Sequence, residues 1–137
     1  MKILFLCTGN SCRSQMAEGF LKNYRKDWNA ESAGISPQGL NPLAVKVMDE
    51  INIDISGQKS KNVEKFLKIP FDYVITVCDN AKESCPVFPG KTKLVHWNLM
   101  DPAKAKGTPE EKLIVFRQVR DEIKEKVLDF IKNFQQC

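Results

Sequence analysis

A chain of 137 residues, 42% hydrophobic and 28% charged, is too apolar for intrinsic disorder and long enough for one domain with a real core. Its formal charge of +4 suits a preference for anions but is too small and scattered for a nucleic-acid binder. No run approaches the length that spans a bilayer, and the apolar ILFLC is too short for a secretory signal, so a cytoplasmic protein is expected.

Strands and helices then alternate. Residues 2–7 form a short apolar run, suited to a central parallel strand buried on both faces. Ser14 is a natural N-cap, and Met16, Phe20 and Tyr24 recur at helical spacing down to about Lys26. Residues 28–33 make a second strand that closes a βαβ unit. After the turn-rich GISPQGLNP, Asn41 caps a helix with Pro42 at its first position, and Leu43, Ala44, Val47, Met48 and Ile51 keep its period. Residues 63–67 read as a short helix, and FDYVITVC, 71–78, as the clearest strand in the chain. DNAKESCPVFPG reads as a loop, followed by a strand at 93–97 and a second loop through Asp101-Pro102 to Gly107. A long helix from near Pro109 closes the chain, its buried stripe marked by Phe116, Val119, Ile123, Val127, Phe130 and Phe134.

No repeat, low-complexity segment or linker interrupts this order. The expected fold is α/β, a single domain over 1–137 with a doubly wound parallel four-stranded sheet and helices on both faces. Ligands bind beyond the carboxyl ends of the strands in such sheets, and Cys7 and Cys78 both sit there.

Five cysteines, Cys7, Cys12, Cys78, Cys85 and Cys137, are many for a reducing compartment, and an odd count fits a disulfide framework poorly. Catalysis or metal binding is the alternative. CTGNSCRS, residues 7–14, joins a strand to a helix. A loop so placed turns the backbone N–H groups of Thr8, Gly9, Asn10, Ser11, Cys12, Arg13 and Ser14 inward as an oxyanion cradle, and the helix adds partial positive charge. Gly9 permits the close turn, Asn10 tolerates positive φ, and the Arg13 fork can hold two oxygens of a tetrahedral anion. Cys7 would face the central atom, with a lowered pKa and a thiolate near neutral pH. The Ser14 hydroxyl either donates to that thiolate or caps the helix; the two are compatible, and capping is the preferred reading. A bare C-x5-R spacing arises by chance, but here it stands at a strand-to-helix junction with Gly, Asn and Ser in place.

CTGNSCRSQMAEG resembles the signature of the low-molecular-weight protein tyrosine phosphatase superfamily, and more closely that of its thioredoxin-coupled arsenate reductase branch. The similarity extends through SAGI, NPLAV, VCDNAKESCP, HW, DPA and FRQVRDEI. It implies that Cys7 attacks the central atom of a phosphate ester or of arsenate. Both branches share the cradle, so the choice rests on Cys78 and Cys85. A phosphatase needs one nucleophile, an acid and water, whereas reducing arsenate to arsenite takes two electrons, which thiols supply by becoming a disulfide. The resemblance implies a relay in which a Cys7–Cys78 disulfide forms first and a Cys78–Cys85 disulfide second, the latter reduced by thioredoxin or a similar dithiol protein. That activity would serve arsenic detoxification, with phosphate as a competing anion. Core packing for Cys78 and a chance loop position for Cys85 are the plainer alternatives. The other enzymatic reading is a tyrosine-type phosphatase acting through a Cys7 phospho-enzyme.

Asp101 resembles the acid of the superfamily, fit to protonate a departing oxygen or to help deprotonate Cys78; otherwise it is a turn-capping aspartate. The phosphatase branch places a tyrosine after this Asp-Pro, and Ala103 stands there instead. Glu18 and Ser32 resemble positions that help hold potassium in some reductases, but Lys61 falls where those supply a carboxylate, so no functional metal and no cofactor are expected. Cys12 receives no role beyond its backbone, and Cys137 is expected to be inert. A zinc site from Cys7, Cys12, Cys78 and Cys85 has the wrong spacing. His96, the one histidine, reads as a packed or rim residue. No exposed apolar repeat demands a partner, so a monomer without nucleic-acid or membrane partners is expected.

Overall fold

A computed structural model describes residues 1–135. Four strands, β1 (Lys2–Cys7), β2 (Asn29–Gly34), β3 (Tyr73–Thr76) and β4 (Lys93–His96), form one parallel sheet in the order β2-β1-β3-β4. The helices are α1 (Arg13–Tyr24), α2 (Pro42–Asp49), α3 (Asp79–Glu83) and α4 (Pro109–Gln135), with 3-10 turns at Val63–Phe66 and Pro102–Lys104. The chain leaves β1 toward β2 and returns to β3 on the other side, so the winding reverses beside β1. This is the doubly wound, helix-flanked sheet that the alternating pattern implies. The reversal puts the loops after β1 and β3 side by side at the switch point.

Ile3, Leu4, Phe5 and Leu6 of β1 are fully buried, which is why its sequence is apolar without alternation. The buried stripe of α4 runs Leu113, Phe116, Val119, Ile123, Val127, Ile131. Phe130 and Phe134, expected on that stripe, are half-buried and instead pack edge-on against Tyr73 and Trp28. No helix among the described residues is long and apolar enough to cross a membrane.

Three local expectations are corrected. Ser14 does not cap α1: the helix starts at Arg13, with Cys12 at the cap position and no side-chain cap bond, because the Ser14 hydroxyl is engaged elsewhere. The strand expected over 71–78 is only Tyr73–Thr76, although the Val77 N–H still bonds to the Leu6 carbonyl at 3.0 Å. Residues 79–83, expected as loop, form α3, with Cys78 as its N-cap. The Asn41 cap and Pro42 start of α2 stand as expected. Cys137 lies outside the described residues.

Candidate active site

The loop from Cys7 to Ser14 is held from both sides. Outside it, the carbonyls of Cys7, Thr8, Gly9 and Ser11 accept from the N–H groups of Ile35, Ser36, Gln38 and Asn41 at 2.8–3.1 Å. Each peptide plane points its N–H opposite to its carbonyl. With these carbonyls turned outward, the following N–H groups face the inner side, where an anion would sit. The close approach depends on Gly34: a Cβ there would stand 2.6 Å from the Thr8 carbonyl oxygen. This supporting segment was not legible in the sequence, although SAGI contains its glycine.

Within the loop the left-handed residue is Asn10, at φ 47°, while Gly9 is not in that region. Asn10 is fully buried, and its side chain fixes its unusual backbone. Oδ1 accepts from Gln15 Nε2 at 3.1 Å and from the Lys61 N–H at 2.8 Å, and Nδ2 donates to Ser14 Oγ at 2.8 Å. Ser14 Oγ lies 2.9 Å from Cys7 Sγ. Because that oxygen already accepts from Asn10, its own proton is free for the sulfur. The Asn10 N–H also donates to Cys7 Sγ, at 3.1 Å. Sequence reasoning preferred capping for Ser14; the hydroxyl serves the thiol instead.

The charge on Cys7 is also corrected. Burial pushes its thiol up, and this outweighs the Ser14 and Asn10 hydrogen bonds and the Arg13 charge that pull it down. Arg13 pulls it down less than either hydrogen bond does. Its guanidinium donates to the carbonyls of Leu99 at 3.0 Å and Val77 at 3.4 Å and lies 3.6 Å from Asp101 Oδ2, along the cavity wall. Cys12 is buried, with its thiol pushed up to about 11 by desolvation, so it is neutral. Asp101 caps its turn, Oδ1 accepting from the Ala103 N–H at 3.0 Å, and its Oδ2 lies 3.6 Å from the Arg13 guanidinium.

Cys7, Arg13, Cys78 and Asp101 line one cavity of about 700 Å³. Thr8 ties the cradle to Cys78: its Oγ1 accepts from Asn80 Nδ2 at 3.0 Å and lies 3.3 Å from Cys78 Sγ, so its proton is available to that sulfur. Cys78 Sγ also accepts from the Ala81 N–H at 3.4 Å. Cys85 stands beyond the other end of α3, half-buried, its sulfur 3.6 Å from the Pro86 carbonyl oxygen and its thiol pushed up by desolvation. The structure thus brings Cys7 and Cys78 together and sets Cys85 apart.

The remaining candidates are accounted for. Glu18 and Ser32 are buried, and Ser32 Oγ donates to Glu18 Oε1 at 2.6 Å. Lys22 and Lys61 bring ammonium groups to 2.6 and 3.4 Å from the same carboxylate, and Lys61 also reaches Glu31 at 3.3 Å. Among the described residues no three His, Cys, Asp or Glu side chains converge on a possible metal position. His96 lies at the rim, between Thr76 and Asp79.

With this geometry in view, comparison with known proteins is specific. Residues 2–137 match the model of a family described as low molecular weight phosphotyrosine protein phosphatase. The arsenate reductase of Oceanobacillus iheyensis is 51% identical over 131 residues, 95% of this chain and 94% of its own. A solved structure of an arsenate reductase in the phosphate binding state superposes with a TM-score of 0.77 at 36% identity, covering 96% of this chain and 97% of that one. A thioredoxin-dependent arsenate reductase from Corynebacterium glutamicum superposes with a TM-score of 0.73 at 27% identity, over 98% of this chain and 62% of that one.

Proposed function

The chain belongs to the low molecular weight phosphotyrosine protein phosphatase family, and from that premise we propose that it is an arsenate reductase working by a relay through Cys7, Cys78 and Cys85. The observation that carries the relay is Cys78 in the same cavity as Cys7, its sulfur 3.3 Å from the hydroxyl of Thr8 in the cradle. A phosphatase would have no use for the second sulfur.

The Cys7 thiolate, held by Ser14 and Asn10, attacks arsenic, and an arsenate oxygen leaves with a proton from Asp101, which takes one up once Arg13 has left it for the anion. Arg13 swings from its wall carbonyls onto the anion's oxygens, and the inward N–H groups take the rest. Cys78 then attacks Cys7 Sγ. The sulfur–arsenic bond breaks with its electron pair on arsenic, arsenate has become arsenite, and a Cys7–Cys78 disulfide remains. Cys85 next attacks Cys78 and expels the Cys7 thiolate. The Cys78–Cys85 disulfide is then reduced by a dithiol protein, for which the thioredoxin dependence of the Corynebacterium relative is the support.

The second exchange needs movement. From its N-cap Cys78 to its C-cap Ser84 the intact α3 rises about 9 Å, with Cys85 next along the chain, and a disulfide needs its two Cα atoms within about 7 Å. α3 must therefore unwind. The test is Cys78→Ser: arsenate reduction should fall to background while hydrolysis of a phosphate monoester persists. Loss of both activities, or of neither, would overturn the relay, and full hydrolysis with no reduction in the parent protein would make it a phosphatase.

A further inference from the structure

With unwinding of α3 part of the relay, what fastens α3 bears on the energetics. Five residues with one buried side chain, Ala81, give it little stability of its own. Two of its side-chain tethers run through reacting or cradle groups, Cys78 Sγ at the Ala81 N–H and Asn80 Nδ2 on Thr8 Oγ1. A third stands outside the chemistry. His96, the last residue of β4, places Nε2 3.3 Å from Asp79 Oδ1, and its Nδ1 lies 2.7 Å from Oγ1 of Thr76, its register partner on β3. The Thr76 hydroxyl can donate or accept, so the ring can offer an N–H to Asp79 whether neutral or charged.

We propose that His96, acting through Asp79, is a positioning residue that latches α3 in the dithiol state and so sets the redox poise of the Cys78–Cys85 pair; this rests on the relay reading above. Asp79 meets His96 from the first turn of α3, and the disulfide requires that turn to open. The contact therefore favours the dithiol and makes the disulfide easier to reduce. In the exchange with glutathione disulfide, the two protein thiols give up two electrons and two protons, an S–S bond closes between residues 78 and 85, and two glutathione molecules are released.

The test uses the full chain carrying Cys7→Ser, which prevents the competing Cys7–Cys78 bridge. It is equilibrated in glutathione buffers, and the 78–85 disulfide is read by mass spectrometry after alkylation. His96→Ala and Asp79→Ala should each raise the oxidation equilibrium constant about fivefold, which is about 20 mV more negative for a two-electron couple. Asp79→Asn, which still accepts an N–H, should stay within about twofold of the parent. Asp79→Ala also removes a carboxylate from the first turn of a helix, so the double variant decides: one shared contact cannot be lost twice, and it should match the single variants. Additive effects, or single-variant constants within about twofold of the parent, overturn the latch. If the parent forms no 78–85 disulfide at any glutathione ratio, the relay itself fails, which is a separate result.

Discussion

The cradle and α3 adjoin the same cavity and are built in opposite ways. The cradle is buried, its carbonyls are bound from outside by residues 35–41, and its left-handed residue uses every polar atom of its side chain. α3 is a helix of little more than one turn, mostly exposed, and capped by a sulfur. The difference follows from what each is asked to do. Holding a tetrahedral anion rewards donors that do not move, because reorganisation during reaction is costly. The proposed passage of oxidation between Cys78 and Cys85, at opposite ends of α3, requires a segment whose local opening is cheap.

The largest break in that contrast is the Cys78→Ser variant. It should abolish reduction and leave phosphate-ester hydrolysis within about threefold of the parent, since Cys7, Arg13 and the inward N–H groups are untouched. Next is Asn10→Ala. It keeps the left-handed backbone without the side-chain bonds that secure it, and should cost about 3 kcal/mol of stability in a urea titration and lower both activities together. A variant that lost reduction alone would contradict the division of labour.

Ser14→Ala sharpens the electrostatics. Burial already raises the Cys7 thiol, so its thiolate fraction climbs as pH rises through the alkaline range. Removing a donor that favours the thiolate must move that climb to still higher pH. Iodoacetamide labelling of Cys7 at neutral pH should slow about tenfold, with the labelling profile displaced upward. The smallest expected effect comes from Lys82→Gly on the exposed face of α3. It should weaken the helix by about 1 kcal/mol and speed its amide exchange about fivefold, with no change in the global unfolding midpoint. A shifted midpoint would mean that α3 is part of the global unit.

How far the sequence discloses this contrast depends on the kind of signal. The strands and the α2 cap were legible because burial and capping leave local patterns: β1 is apolar from Ile3 to Cys7, and Asn41-Pro42 marks its helix directly. Cys7, Arg13 and the turn at Asn10 were legible because the chemistry lies within one short stretch. α3 was not, because DNAKE is polar and its cap is a cysteine, which no capping preference would select. The outward direction of Arg13 was also hidden. It is set by the carbonyls of Leu99 and Val77 and by Asp101, which only the fold brings near. The same holds for Ser14, whose capping tendency yields to a sulfur seven residues earlier.

Arg13 resting against Asp101 and two carbonyls has a consequence for what the cavity admits. Its guanidinium is already neutralised, so an incoming solute has to outbid an internal carboxylate before it gains that fork. A halide or a singly charged carboxylate offers no better bargain than the aspartate it would displace. A tetrahedral dianion does, because it brings more charge and fills the inward N–H groups at once. An anion that cannot displace the aspartate gains nothing from Arg13, so the resting ion pair sets a threshold for binding to that fork.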